Sequence, residues 1–143
     1  HNKASSVSDV FKHYLRPGKP GYVKGNWVPL AETVTWIVDA GGQAVIAHPS
    51  RYNLTATKMS YLINDFIACG GTALEIAYSS CNRDTISNNT RIAKKYNLMA
   101  SIGSDFHDPN VPWTQLGKLP RLANDLTPIW EWFARDGVAP KVG

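Results

Sequence analysis

Two short stretches carry the residue types best suited to chemistry. Ala47-His48-Pro49-Ser50-Arg51-Tyr52 offers an imidazole and, three residues later, a guanidinium, while Gly103-Ser104-Asp105-Phe106-His107 offers a carboxylate and an imidazole two residues apart. One carboxylate with two imidazoles suits zinc, manganese or iron better than magnesium or calcium, whose shells are built of oxygen. A lone histidine is more often structural, and an Asp-x-His triplet arises by chance in many proteins. The joint placement is what counts: of four histidines, two follow apolar runs of the kind that become strands, and the other two, His1 and His13, lie in the N-terminal segment. His13 is expected on the exposed side of a short helix.

In extended chain, residues two apart project to one side, so Asp105 and His107 should address one ion while Phe106 turns into the core. Pro49 should hold His48 extended and end its strand, leaving the imidazole at the rim. The candidate metal ligands are therefore His48, Asp105 and His107, converging in one shell, with Asp105 and His107 as the catalytic pair. Arg51 is the candidate substrate-binding residue, because a guanidinium fork can grip phosphate oxygens in pairs. A surface position or an ion pair is the competing reading.

The elements that must position these residues repeat. Leu30, Val34, Ile37 and Val38 form a helical stripe that ends at Gly41-Gly42 and leads into Ala44-Val45-Ile46-Ala47; Met59, Leu62, Ile63, Phe66 and Ile67 form another, ending at Gly70-Gly71 before an apolar run over residues 73–78. The two Gly-Gly pairs lie 29 residues apart. A third, weaker unit places a helix over residues 83–96 and a strand over residues 98–102. Continuously apolar strands alternating with helices imply a parallel α/β sheet buried on both faces, with the chemistry at the C-terminal strand ends.

About three βα units are thus expected, flanked by a helical N-terminal segment and a C-terminal helix. Ser6 and Asp9 resemble a capping box opening the first helix, and Arg16-Pro17-Gly18-Lys19-Pro20-Gly21 must break it. Residues 22–29 read as a loop. Thr127-Pro128 suits the start of the last helix, which would carry Ile129, Trp130 and Phe133. A complete (β/α) barrel takes roughly 200 residues or more, so three units amount to about half of one.

Glu75, inside an apolar strand, needs a partner, such as a metal-bound imidazole, because an unpaired buried carboxylate is costly. Cys81 and Tyr78-Ser79-Ser80 are candidate pocket lining, and Trp113, Trp130 and Trp132 read as packing residues. With 43% hydrophobic residues the chain can build a core, which argues against disorder. A net charge of +4 without a long basic run fits an anionic substrate and an ordinary surface equally well. Cys69 and Cys81 have neither the number nor the spacing of a disulfide framework and read as free thiols in a reducing cytoplasm. Neither a membrane span nor a leader is encoded, and a start without Met suggests a shortened or processed piece.

The Ala-His-Pro-Ser-Arg-Tyr and Gly-Ser-Asp-Phe-His strings, the latter followed by Pro112-Trp113, resemble the late motifs of the polymerase and histidinol phosphatase (PHP) family. The resemblance runs from about Lys3 to Leu119 and is strongest to the bacterial branch that dephosphorylates nucleoside bisphosphates and trims short RNA from the 5′ end. It implies the C-terminal part of a distorted (β/α)7 barrel that holds two or three metal ions, manganese ahead of zinc or iron, with His48, Asp105 and His107 among the ligands. Residues 1–27 would be the end of a helical insertion and its connecting loop, and residues 28–143 the C-terminal part of the phosphoesterase domain. The family's early motifs, a His-x-His followed by a further His, an Asp and a Glu, have no counterpart here.

The implied activity is metal-dependent hydrolysis of phosphate esters by the full-length protein, on a phosphorylated small molecule or a short nucleic acid. This chain alone is expected to be inactive and to bind metal weakly. Its partner would be the missing N-terminal half, and its open strand edges favour self-association. A non-catalytic interaction fragment and an amidohydrolase-like C–N hydrolase are the rival readings.

Overall fold

The computed structural model describes residues 4–79, 81–111 and 114–135. Ser6 opens α1 (Val7–Val10) by accepting the Asp9 N–H at 3.1 Å, and the chain continues in one wider π-helical turn over Phe11–Leu15. The Asp9 carboxylate returns to the amide and hydroxyl of Ser5 rather than to Ser6, so the reciprocal half of the capping box forms one residue early. No residue of this segment is buried.

Three further helices end in one way. After α2 (Leu30–Asp39), α3 (Ala56–Ala68) and α4 (Arg83–Lys95), the chain passes through a left-handed residue: Gly41 at φ 77°, Gly70 at 96° and Asn97 at 52°. The next amide then reaches back five residues, Gly42 to Ile37, Gly71 to Phe66 and Leu98 to Ala93, each at 2.9 Å. This closes the last helical turn and aims the chain into a strand. Asn is the usual alternative to Gly at that position, which is why the third repeat is weak in sequence yet alike in shape. Thr55 and Asn82 cap the starts of α3 and α4 through their side-chain oxygens.

The strands so launched, β1 (Val45–Ile46), β2 (Ala73–Tyr78) and β3 (Met99–Gly103), pair in parallel in the order β1-β2-β3. Val45 stands opposite Ala73 and Leu74 opposite Ala100. The central strand β2 is buried almost throughout, as a continuously apolar strand should be. The expected strand 44–47 shrinks to two residues, and Ala47 is exposed, because β1 is paired on one side only among the described residues.

The C-terminal expectation needs a correction. Thr127 does not cap a helix; its carbonyl accepts the Ala100 N–H at 2.8 Å while the Ile129 N–H donates to Ala100 at 2.9 Å, so Pro128 bridges to β3 in parallel. The missing proline donor is harmless because the ladder uses its two neighbours. α5 begins only at Trp130 and runs to Arg135. Trp132 meets Phe133 edge to face at 5.0 Å, whereas Trp130 is half exposed. Trp113, Ser80 and His1 lie outside the described residues.

The core joins Val34 of α2, Ile63 and Phe66 of α3 and Ala93 of α4 to Leu74, Ile76 and Ala100 of the sheet. Phe66 packs so closely on Gly71 that a Cβ there would lie 2.3 Å from its ring. Cys69 and Cys81 are free thiols. Among the described residues no helix is long and apolar enough to cross a membrane.

Candidate functional site

The site is assembled where β1, β2 and β3 end. Two residues beyond β1, His48 turns left-handed, with φ 32° and ψ 59°, instead of holding the extended conformation that a following proline favours. The cause lies in the neighbouring strand: the His48 backbone N–H donates to Glu75 Oε2 at 2.6 Å. Glu75 therefore does have a partner, but it is the His48 backbone and not an imidazole ring. Gly103 gives the carboxylate room, since a Cβ there would sit 3.0 Å from Glu75 Oε1.

The left-handed residue starts a 3₁₀ turn, Pro49–Tyr52, in which the Arg51 N–H donates to the His48 carbonyl at 3.0 Å. Residues three apart eclipse in such a turn, so His48 and Arg51 share one side. Both stand on Tyr78, the last residue of β2. The Arg51 guanidinium lies 4.6 Å from the centre of the Tyr78 ring, and the His48 ring meets it edge-on at 6.1 Å. The Tyr78 hydroxyl in turn shares a hydrogen bond with Ser50 Oγ at 2.8 Å.

Past β3, Asp105 is also left-handed, at φ 53°, so the two-residue alternation of a strand does not apply. His107 folds back, with Nδ1 2.8 Å from the Asp105 backbone carbonyl and 3.6 Å from Oδ1. Phe106 swings outward and is 39% exposed, contrary to the expectation that it enters the core. The Asp105 side chain is only 13% exposed and is the hub of the cluster. Its Oδ2 accepts from Arg51 Nη1 at 2.6 Å, and its Oδ1 faces His48 Nε2 at 4.0 Å as well as His107.

Desolvation works against the charge on Arg51, but the hydrogen bond and charge of Asp105, with help from Tyr78, outweigh it and raise the guanidinium's pKa. Burial, and then the charge of Glu75, push the Tyr52 phenol up. Tyr78 reached the sequence reading only as pocket lining; its role as the floor under His48 and Arg51 is a tertiary fact. The Cys81 thiol sits against the Tyr78 amide at 3.5 Å.

The donor chemistry fits part of a metal site, with Asp105 Oδ1 between two imidazoles. Among the described residues no group of three His, Cys, Asp or Glu is arranged to hold an ion. Two contacts stand in the way: Arg51 holds Oδ2, and His107 Nδ1 is turned to the Asp105 carbonyl.

No protein-family model matches the chain. It is 46% identical over 121 residues to the 3′,5′-nucleoside bisphosphate phosphatase of Chromobacterium violaceum, a match covering 85% of this chain and 42% of that protein. It is 40% identical over 132 residues to the 5′-3′ exoribonuclease Rnm of Escherichia coli, covering 90% and 45%. A solved structure of an amidohydrolase from Chromobacterium violaceum, with bound sulfate and no metal, superposes with a TM-score of 0.78 at 44% identity, over 88% of this chain and 43% of that one. The chain spans less than half the length of the curated relatives it matches.

Proposed function

We propose, since this chain belongs to the polymerase and histidinol phosphatase (PHP) family and represents a C-terminal portion of it, that the full-length protein hydrolyses phosphate esters with the help of divalent metal. The observation that carries the reading is the Asp105 hub, a shielded carboxylate set between Arg51 and two imidazoles at the C-terminal ends of parallel strands.

His48, Asp105 and His107 would hold part of the metal set, manganese ahead of zinc or iron, and the rest of the ligands would come from the N-terminal half. When bound, the ions supply positive charge that activates water for in-line attack at phosphorus and stabilises the leaving oxygen. Asp105 orients the two imidazoles and holds Arg51 in reserve beside them. Arg51 turns its forked donors to the phosphate oxygens, with Tyr78 beneath the guanidinium fixing its plane. Glu75 holds the His48 backbone in place.

The substrate is a phosphorylated nucleotide or a short oligonucleotide, the classes named for the two relatives. The three βα units belong to a distorted (β/α)7 barrel, residues 1–27 end a helical insertion over its mouth, and the enzyme works in the cytoplasm. Alone, the fragment associates with copies of itself through the open β1 edge.

The test is metal analysis of the purified full-length protein, combined with phosphate release from a nucleoside 3′,5′-bisphosphate and a 5′-phosphorylated oligoribonucleotide. Bound transition metal with chelator-sensitive release is expected; metal-free protein that releases no phosphate from either would contradict the proposal. The structural neighbour described as an amidohydrolase favours C–N hydrolysis as the second reading. Turnover of amide substrates without phosphate release would select it.

A further inference from the structure

Arg51 and Asp105 each have a part in the proposed reaction, and each is engaged with the other. Arg51 Nη1 donates to Asp105 Oδ2 at 2.6 Å, while Oδ1 faces His48 Nε2 at 4.0 Å and His107 Nδ1 at 3.6 Å. The guanidinium is charged at any ordinary pH, so it already does for this carboxylate what a bound cation would do. A divalent ion taken up by Oδ1 and the imidazoles would stand beside that charge. Only 13% of the Asp105 side chain meets solvent, so water and salt screen the repulsion poorly.

The contact can open without stranding a buried charge. The Arg51 side chain is 46% exposed, so its guanidinium leaves Asp105 toward solvent and not through the core. Its backbone stays fixed, because the Arg51 N–H donates to the His48 carbonyl at 3.0 Å, and the motion is confined to the side chain. The Tyr78 ring, 4.6 Å from the guanidinium and anchored through its hydroxyl to Ser50 Oγ at 2.8 Å, supports one face of the cation as it turns.

We infer that the Arg51–Asp105 pair is an internal latch that couples metal binding to phosphate binding. The inference rests on the phosphoesterase reading and adds a regulation of the same site. Asp105 gives up Arg51 when it takes a metal ion, and Arg51 gives up Asp105 when it takes a phosphate. Both roles need the same hydrogen bond broken, so whichever ligand binds first has already opened the latch for the second. Linkage makes the effect reciprocal: metal strengthens phosphate binding by the factor by which phosphate strengthens metal binding. Without Arg51 the carboxylate needs no release, so metal alone binds more tightly. Loss of a residue that merely orients Asp105 would weaken metal binding instead, and the sign separates the two roles.

The experiment uses the full-length protein, with zinc as a diamagnetic metal and sulfate as a soluble stand-in for phosphate. Calorimetry compares zinc binding by wild type and Arg51→Gln without sulfate, and the variant should bind at least ~fivefold tighter, the lower end of usual coupling between sites. Zinc should strengthen sulfate binding by a larger factor in wild type than in Arg51→Gln. Nitrogen-15 NMR of the wild type follows the Arg51 Nε–H signal, assigned by its loss in Arg51→Lys. That signal should move in step with zinc occupancy, a readout that does not depend on how Arg51→Gln folds. The inference is overturned if zinc does not bind, if the signal is unmoved at saturating zinc, or if Arg51→Gln binds zinc no more tightly than wild type. The underlying reading fails separately: the signal would still move with zinc while no phosphate ester is hydrolysed.

Discussion

Replacing Glu75 with Ala removes the hydrogen bond that ties the central strand to the backbone of the left-handed residue that starts the site. A hydrogen bond to a charged group contributes ~1.5–3 kcal/mol, and the lower half applies here because Glu75 is only partly buried. Without its acceptor the His48 amide stays unpaired, or the turn relaxes and recovers part of the ~1–3 kcal/mol stored in a left-handed non-glycine residue. Relaxation moves the imidazole away from Asp105, which it now faces at 4.0 Å. The expected cost is about 2 kcal/mol in stability for Glu75→Ala and about half of that for Glu75→Gln, which keeps an acceptor oxygen. Metal affinity should fall ~10–100-fold, the usual effect of losing a partner that orients a ligand. Urea denaturation of the full-length protein reads the first quantity, and calorimetric manganese titration reads the second. If Glu75→Ala unfolds at the wild-type midpoint and binds manganese with wild-type affinity, the reasoning about His48 is wrong.

Arg51→Lys keeps the charge but loses the fork, so kcat/KM for a phosphate monoester should drop at least ~tenfold while the melting temperature stays near wild type; unchanged kinetics would return Arg51 to a purely structural pairing with Asp105. Gly71→Ala forces a Cβ into the Phe66 ring and should destabilise the protein by roughly 1–3 kcal/mol in a thermal melt. Asn97→Gly should stabilise by up to ~1 kcal/mol, because glycine adopts the left-handed cap of α4 without strain. The Lys94 ammonium pairs with Asp125 and holds its carboxyl below the ordinary 3.8. That stabilisation is fully present above the ordinary value and is lost as pH falls through the lowered one, so Asp125→Asn should flatten this part of the acid dependence, with its small cost seen at neutral pH and vanishing in acid.

Periodicity and glycine pairs carried the reading of three helix-to-strand units, because Gly41 and Gly70 are needed for one cap geometry. Asn97 performs the same task less visibly. Local rules failed where tertiary contacts overrule them. The proline rule lost at His48 to the hydrogen bond that its backbone N–H donates to Glu75, a residue 27 positions away. Strand alternation lost at Asp105, which is left-handed, and Phe106 went outward as a result. Thr127-Pro128 has the composition of a helix start, yet Ala100 offers it a strand neighbour that no local pattern reveals. The Arg51 contact with Asp105 was legible only as one of several alternatives, since a chain pattern does not say which carboxylate a guanidinium will meet.

The proposed function gives Asp105 the organising role in a metal-dependent phosphoesterase site. Phosphate release from a nucleoside 3′,5′-bisphosphate by the full-length protein, with and without Asp105→Asn, tests it most directly. The account predicts manganese-supported release that the substitution lowers by more than the ~10–100-fold typical of outer-shell partners, with the fold intact. Release that continues at the wild-type rate in Asp105→Asn would contradict it.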